Sequence, residues 1–228
     1  PDGRVQPTAG IWARRKYLKR IWLMHRLHEP RDALTLMTLH MTNSHVAPYM
    51  VWADSNLDLE WRYKTTPRQK AFPPDLLRAE SLGLQTGNIP QSLAKNRAEL
   101  SHFGTLMVHE VRSWFTHKTA RRMLTQMLDF GYGKDAEVVN YWDDEPPIHV
   151  SDPRCKWLLM RKQDTWMILF CTWNSEPATV GVDIPEKDLP ATPQQAVNLE
   201  TDETTAIETG RFSFEMPAYG TRLFVLQP

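Results

Sequence analysis

The texture of the sequence changes near Gly133, and that change limits the possible folds more than any other feature. Past it come short strand-like runs with turn residues between them: Glu137 to Trp142, Lys156 to Arg161, Thr165 to Trp173, Thr179 to Ile184, Ala196 to Leu199, Arg211 to Met216 and Thr221 to Leu226. No helical pattern separates them, which predicts an antiparallel β-sandwich over residues 134–228. Trp142, Asp143 and Asp144 stand at its start, the Trp as a junction residue able to wall a cleft and the Asp pair as a turn.

Residues 1–133 read differently. Ala13 to His28 has apolar residues at helical spacing. Ala33 to His40 and Met50 to Ala53 are short apolar runs suited to buried strands. Prolines 67, 73 and 74 interrupt the chain, after which Asp75 is placed to cap a helix through Leu82 that Gly83 and Gly87 end. Asn88 to Leu93 suits a further strand, and Leu100 to Val111 is apolar with interspersed His. Thr116 to Phe130 is amphipathic and closed by Gly131 and Gly133. Alternating strands and helices imply β/α construction. The segment holds only about half the strands of an eightfold barrel, which takes roughly 250 residues. The expected fold is α/β plus all-β: the C-terminal part of a (β/α)8 barrel, then the sandwich. Half a barrel leaves strand edges open, so an upstream polypeptide is expected to complete it.

Composition removes several function classes. The 27 basic and 27 acidic residues cancel, so no net field draws nucleic acid or an anionic membrane, and the basic Arg14–Arg20 stretch reads as a solvated helix face. No run reaches the roughly 20 apolar residues of a membrane span. The opening PDGRVQPTAG has neither an initiator Met nor an apolar signal core, and reads as interior to a longer chain. Localisation is unreadable here.

Chemistry concentrates between Leu36 and Trp61. The apolar run Pro48 to Ala53 ends in Asp54, and Glu60 follows among Trp52, Trp61 and Tyr63. A strand that delivers a carboxylate at its C-terminal end, with a second on the following loop, suits glycosidic cleavage, where one acid protonates the leaving oxygen and the other group attacks or activates water. Nine tryptophans are many for this length, and indole faces stack well on sugar rings. The bland readings are that Asp54 caps a helix and Glu60 pairs with Arg62. His40 and Asn43 stand at an earlier strand end, suited to a sugar hydroxyl or to a structural role. Arg78 and Glu80 lie on one predicted helix, as pocket lining or as a local ion pair. His40, His45 and Asp54 match no zinc spacing, so no metal or cofactor is expected.

Cys155 and Cys171 flank a hairpin centred near Gln163. If that register holds they are directly opposed and close enough for a disulfide. Two buried free thiols are the other reading.

The segments HMTNSHVAPYMVWADSNLDLEW and FPPDLLRAESLGLQTGNIPQ, with the tail WMILFCTWNSEPATVGVDI, AVNLETDE and FSFEMPAYGTRLFVL, resemble the C-terminal half of certain bacterial glycoside hydrolases. These carry a TIM-barrel catalytic domain followed by a β-sandwich, and the likeness extends distantly to relatives of exo-β-N-acetylgalactosaminidases. It departs from the substrate-assisted members, whose Asp–Glu pair is adjacent, because Asp54 and Glu60 are separated. The resemblance implies a glycosidase-like portion acting on a carbohydrate. The alternative is a non-catalytic glycan-binding or structural subunit on the same scaffold, paired with another chain.

Overall fold

The computed structural model describes residues 38–40, 55–61, 66–80, 89–94, 99–113, 115, 117–185 and 195–227. The helix expected over 13–28 and the strand expected over 50–53 lie outside them. The chain forms two compact units, one of residues 1–59 and 82–91, the other of residues 60–81 and 92–228.

β1 (Thr38–His40) pairs in parallel with β2 (Ser55–Trp61), with Thr38 opposite Ser55 and His40 opposite Leu57. The strand order continues to β3 (Ile89–Ala94). Parallel neighbours need crossover connections, in keeping with the β/α pattern. One expectation is corrected: the stretch after Asp54, read as a loop carrying Glu60, is strand. Its sequence SNLDLEW alternates Leu57, Leu59 and Trp61 with Asn56, Asp58 and Glu60, the period-two pattern of a β-strand.

The second unit is built on a sheet whose central strands are buried on both faces. Its helices are α1 (Arg68–Ala71), α2 (Pro74–Glu80), α3 (Glu99–Met107) and α4 (Lys118–Phe130), with the two-residue strand β4 (Arg112–Ser113) before α4. Then come β5 (Glu137–Asn140), β6 (His149–Val150), β7 (Cys155–Lys162), β8 (Thr165–Thr172), β9 (Ala178–Asp183), β10 (Gln195–Asn198), β11 (Thr204–Ala206), β12 (Arg211–Met216) and β13 (Thr221–Gln227). They form a six-stranded sheet in the order β11-β10-β13-β8-β7-β5 and a three-stranded sheet β12-β9-β6. The printed pairings in both are antiparallel. The predicted strand runs are thus present, with the short β6 and β11 in addition.

Burial along the strands explains the layering. In β12 it alternates, Phe212, Phe214 and Met216 inward and Arg211, Ser213 and Glu215 outward, because one face of the small sheet meets water. In β7 and β8 nearly every residue is buried. Leu158, Met160, Met167, Leu169 and Cys171 pack with Phe103, Leu106 and Met107 of α3 and with Ala120, Met123 and Met127 of α4. The alternate residues Trp157, Leu159, Trp166, Ile168 and Phe170 pack with Val180, Val182, Phe212 and Phe214 of the small sheet.

Helix boundaries follow local chemistry. Gly131 at φ 124° ends α4, and with Tyr132 it donates to the carbonyls of Met127 and Leu128, which lack helical partners. α2 starts at Pro74, where a missing N–H costs nothing, so Asp75 lies in its first turn and is not the cap. The apolar stretch Leu100 to Val111 is largely α3.

The β7–β8 register also corrects an expectation. Lys162 faces Thr165, so Cys155 faces Thr172 and Cys171 faces Lys156. The hairpin turns on two residues, Gln163 and Asp164, so its centre falls between them and not on Gln163; this shifts the register by one residue, and a one-residue shift moves a side chain to the other face. Cys155 lies toward the small sheet, Cys171 toward the helices, and both are free thiols.

Two outcomes follow from this layering. Residues 134–228 produced alone leave Leu158, Met160, Met167, Leu169 and Leu223 without their helix cover; the fragment should bind a hydrophobic dye and melt without cooperativity, and a sharp two-state transition would disprove the shared core. A Cβ on Gly104 of α3 would lie 2.0 Å from Thr221 Oγ1 and 3.0 Å from Cys171 Sγ. Overpacking costs up to about 3 kcal/mol, more than the roughly 1 kcal/mol gained in helix propensity. Gly104→Ala should therefore lose about 2 kcal/mol in urea denaturation, and unchanged stability would show that α3 can move away from the sheet.

Candidate functional site

The sequence candidates distribute unevenly. His40 closes β1, Glu60 and Trp61 are the last two residues of β2, and Glu80 closes α2. Asp54, Asn43 and Trp52 lie outside the described residues. Arg78 and Trp142, separated by most of a domain in sequence, do meet: the Arg78 guanidinium carbon lies 5.6 Å from the Trp142 ring centroid.

That contact is the outer end of a cluster around His109. The turn after α3 places His109 in full burial. Its ring stacks on Trp142, centroids 5.6 Å apart and planes 15° apart, and meets Tyr141 and Trp173 edge-on at 5.6 and 5.9 Å. Nδ1 lies 2.6 Å from the Thr105 carbonyl and Nε2 3.0 Å from the Tyr141 hydroxyl. A carbonyl only accepts, so the neutral ring carries its proton on Nδ1, and Tyr141 donates to Nε2. Burial, with smaller repulsion from Arg68 and Lys156, holds the His109 pKa down at about 4 against the pull of the Thr105 and Pro74 carbonyls. Burial likewise raises the Tyr141 phenol above its usual range. Both groups are uncharged at neutral pH, and their hydrogen bond holds the two rings in place.

The turn that presents Tyr141 and Trp142 is pinned at its base. Asp143 Oδ2 accepts from the Asn140 N–H at 2.8 Å, and the Asn140 side chain donates to Glu110 Oε2 at 3.1 Å. From β8, Trp173 Nε1 donates to the Phe72 carbonyl at 2.7 Å, between α1 and α2. Lys156 of β7 sits 4.9 Å from the Tyr141 ring centroid.

A second buried group lies beneath α1. Arg68 is fully buried, its Nη1 3.0 Å from His102 Nδ1 and its guanidinium carbon 5.3 Å from the Phe72 centroid. An arginine only donates, so Nδ1 of His102 accepts and the ring is neutral. Burial, aided by Arg68, lowers the His102 pKa to about 2.

No family model matches the chain, and no curated protein matches it in sequence. Solved structures do match in fold. A GH27 β-L-arabinopyranosidase from Geobacillus stearothermophilus aligns over 92% of this chain and 54% of its own, with TM-score 0.59 and 10% identity. A maltogenic α-amylase from Thermotoga neapolitana aligns over 92% and 59%, with TM-score 0.57 and 12% identity. The α-galactosidase I of Mortierella vinacea aligns over 92% and 63%, with TM-score 0.56 and 9% identity. The chain shares its fold with part of each of these enzymes. It spans a little over half the length of these enzymes, and at such identities the likeness is one of fold alone.

Within this fold, sequence reasoning missed His109, Tyr141, Lys156, Arg68 and His102 as partners. The signal was present for two of them: His102 and His109 are the histidines of the apolar Leu100 to Val111 stretch, seven positions apart and on one side of α3 and its final turn. Among the described residues no group of three His, Cys, Asp or Glu side chains is placed to hold a metal ion, and no helix is long and apolar enough to cross a membrane.

The two buried histidines make stability depend on pH. Their folded pKa values lie below the unfolded value of 6.5, so their contribution is complete above about pH 6.5 and is lost as pH falls toward about 4 for His109 and about 2 for His102. At roughly 1.4 kcal/mol per pH unit, each should cost about 2 kcal/mol by about pH 5. Urea denaturation at about pH 7.5 and pH 5 should show this loss, reduced by His109→Gln. Equal stability at the two pH values would mean that the rings are hydrated or already charged.

Proposed function

We propose that this chain is the C-terminal portion of a glycoside hydrolase that cleaves a glycosidic bond with the carboxylates of Asp54 and Glu60. The observation that carries this reading is the fold match: 92% of the chain aligns with part of an arabinopyranosidase, an amylase and an α-galactosidase. These enzymes differ in sugar, so the match supports the class of reaction and leaves the substrate open. Residues 1–133 would contribute the barrel portion and 134–228 the sheet domain, with an upstream polypeptide supplying the remaining strands. The narrower kinship with exo-β-N-acetylgalactosaminidase relatives rests on the sequence motifs.

In this reading one carboxyl group protonates the departing glycosidic oxygen, while the other attacks the anomeric carbon, activates water or steadies the positive charge that develops there. Glu60 is the second-last residue of β2, near the strand end where barrel enzymes place their chemistry, and Asp54 lies outside the described residues. His40, Asn43, Trp52 and Trp61 would hold the sugar. Arg78, Glu80 and Trp142 would flank it. No cofactor is required, since proton transfer and carboxylate chemistry suffice.

Asp54→Asn and Glu60→Gln in the complete protein, assayed on aryl glycosides, test the assignment. Loss of a proton-transfer group should lower kcat/KM by about 10²–10⁴-fold. Activity within a few-fold of the parent for both variants would remove these residues from the chemistry. A complete protein that binds a saccharide but hydrolyses none would be the non-catalytic glycan-binding subunit instead.

A further inference from the structure

The stack from His109 through Trp142 to Arg78 grades outward from full burial through partial exposure to an exposed guanidinium. Each layer is held by the one beneath. His109 is locked by the Thr105 carbonyl and the Tyr141 hydroxyl, Trp142 lies parallel to its ring, and Arg78 lies over Trp142. Arg78 lies over the Trp142 ring and forms no hydrogen bond or ion pair among the described residues. An exposed arginine ordinarily gives up considerable side-chain freedom when it is fixed in this way, and a stacked guanidinium retains its in-plane donors for a ligand.

The surroundings indicate the kind of ligand. The Asp75 carboxylate and the Arg78 guanidinium both act electrostatically on Tyr141, with opposite sign. Asp143 and Asp144 follow Trp142 in an exposed turn, and Lys156 lies over the Tyr141 ring. Mixed charges of both signs disfavour a phosphate or another strong anion. They suit a neutral molecule that both donates and accepts hydrogen bonds and has an apolar C–H edge to lay on aromatic carbon. A saccharide has that chemistry.

We propose that this stack is a saccharide-contacting subsite in which Arg78 makes the hydrogen bonds, and in which His109 acts as a positioning residue through Trp142. The inference rests on the reading of this chain as carbohydrate-active, and it extends that reading by giving a function to His109 and Tyr141, which touch no substrate in it. The arrangement needs no movement of the protein, because the rings are already stacked and the turn that carries them is already pinned.

The test is isothermal titration of the full-length chain with methyl β-L-arabinopyranoside, methyl α-D-galactopyranoside and maltose, with inorganic phosphate as the anionic comparison. At least one saccharide should bind, and phosphate should not. Arg78→Lys keeps the charge but loses the planar fork, and should weaken binding about tenfold. Trp142→Ala should do the same, and the double variant should be no weaker than either single one, because Arg78 acts from Trp142. Tyr141→Phe, which removes only the hydroxyl that Nε2 of His109 accepts from, should weaken binding about threefold while leaving the fold intact by circular dichroism. The inference is overturned if no saccharide binds, if phosphate binds more tightly, if Arg78→Lys leaves affinity unchanged, or if the two substitutions multiply. Binding lost in Arg78→Lys alongside full hydrolysis in Asp54→Asn and Glu60→Gln would leave the subsite standing and remove the catalytic assignment alone.

Discussion

The central strands β7 and β8 of the six-stranded sheet leave little surface to water, and the rest of the second unit is arranged around that constraint. β7 and β8 are apolar on both sides, so each side requires its own cover. The three-stranded sheet covers one with aromatic rings, Phe212 and Phe214 packing with Phe170 and Phe224. Helices α3 and α4 cover the other with methionine, leucine and phenylalanine. A helix can lie this close only where its side chains allow, and Gly104 provides the contact point against Thr221 and Cys171. Once α3 is docked, His102 and His109 are carried into the interior with it.

Carrying polar rings into an apolar interior is costly unless each finds a partner. Here the cost is met by keeping both histidines neutral. His109 donates to one backbone carbonyl and accepts from a tyrosine, and His102 accepts from Arg68. The same bonds that satisfy His109 place Tyr141 and Trp142 at the surface end of the cluster. Interior packing and surface geometry thus meet in one side chain: α3 carries the His109 ring, Trp142 stacks on that ring, and the Arg78 guanidinium lies over the indole. The segment containing α1 and α2 is tied to the sheet by separate bonds, Trp173 to Phe72 and Gln69 to the Tyr219 carbonyl. Arg78 therefore approaches Trp142 from a segment that is itself anchored.

Much of this was legible because it depends on local pattern. The strands from Glu137 onward alternate or run apolar at strand length, and Gly131 marks the end of α4 by its left-handed backbone. Arg78 and Trp142 were read separately as candidate lining, although nothing local says that they touch. Reading failed where two periods compete or one residue decides. SNLDLEW alternates as a strand but follows an aspartate that suggested a strand end, so Glu60 was placed on a loop. A hairpin centred on Gln163 sets Cys155 and Cys171 opposite each other, whereas the centre between Gln163 and Asp164 shifts the register by one residue and puts them in different layers. Leu100 to Val111 was too uniformly apolar to show a helical stripe, since α3 is buried nearly all round.

The sequence by itself determined the strand runs from Glu137 onward, their order and the helix that Gly131 ends, because these follow from propensities and periods spanning a few neighbouring residues. It also carried the carbohydrate-active resemblance in its motifs. Tertiary structure alone decided which layer each cysteine joins, which helix covers the second face of the large sheet, and that His109 lies beneath Trp142 and Arg78. Those outcomes depend on register and on contacts between residues far apart in the chain, and no local pattern encodes a distance across the core.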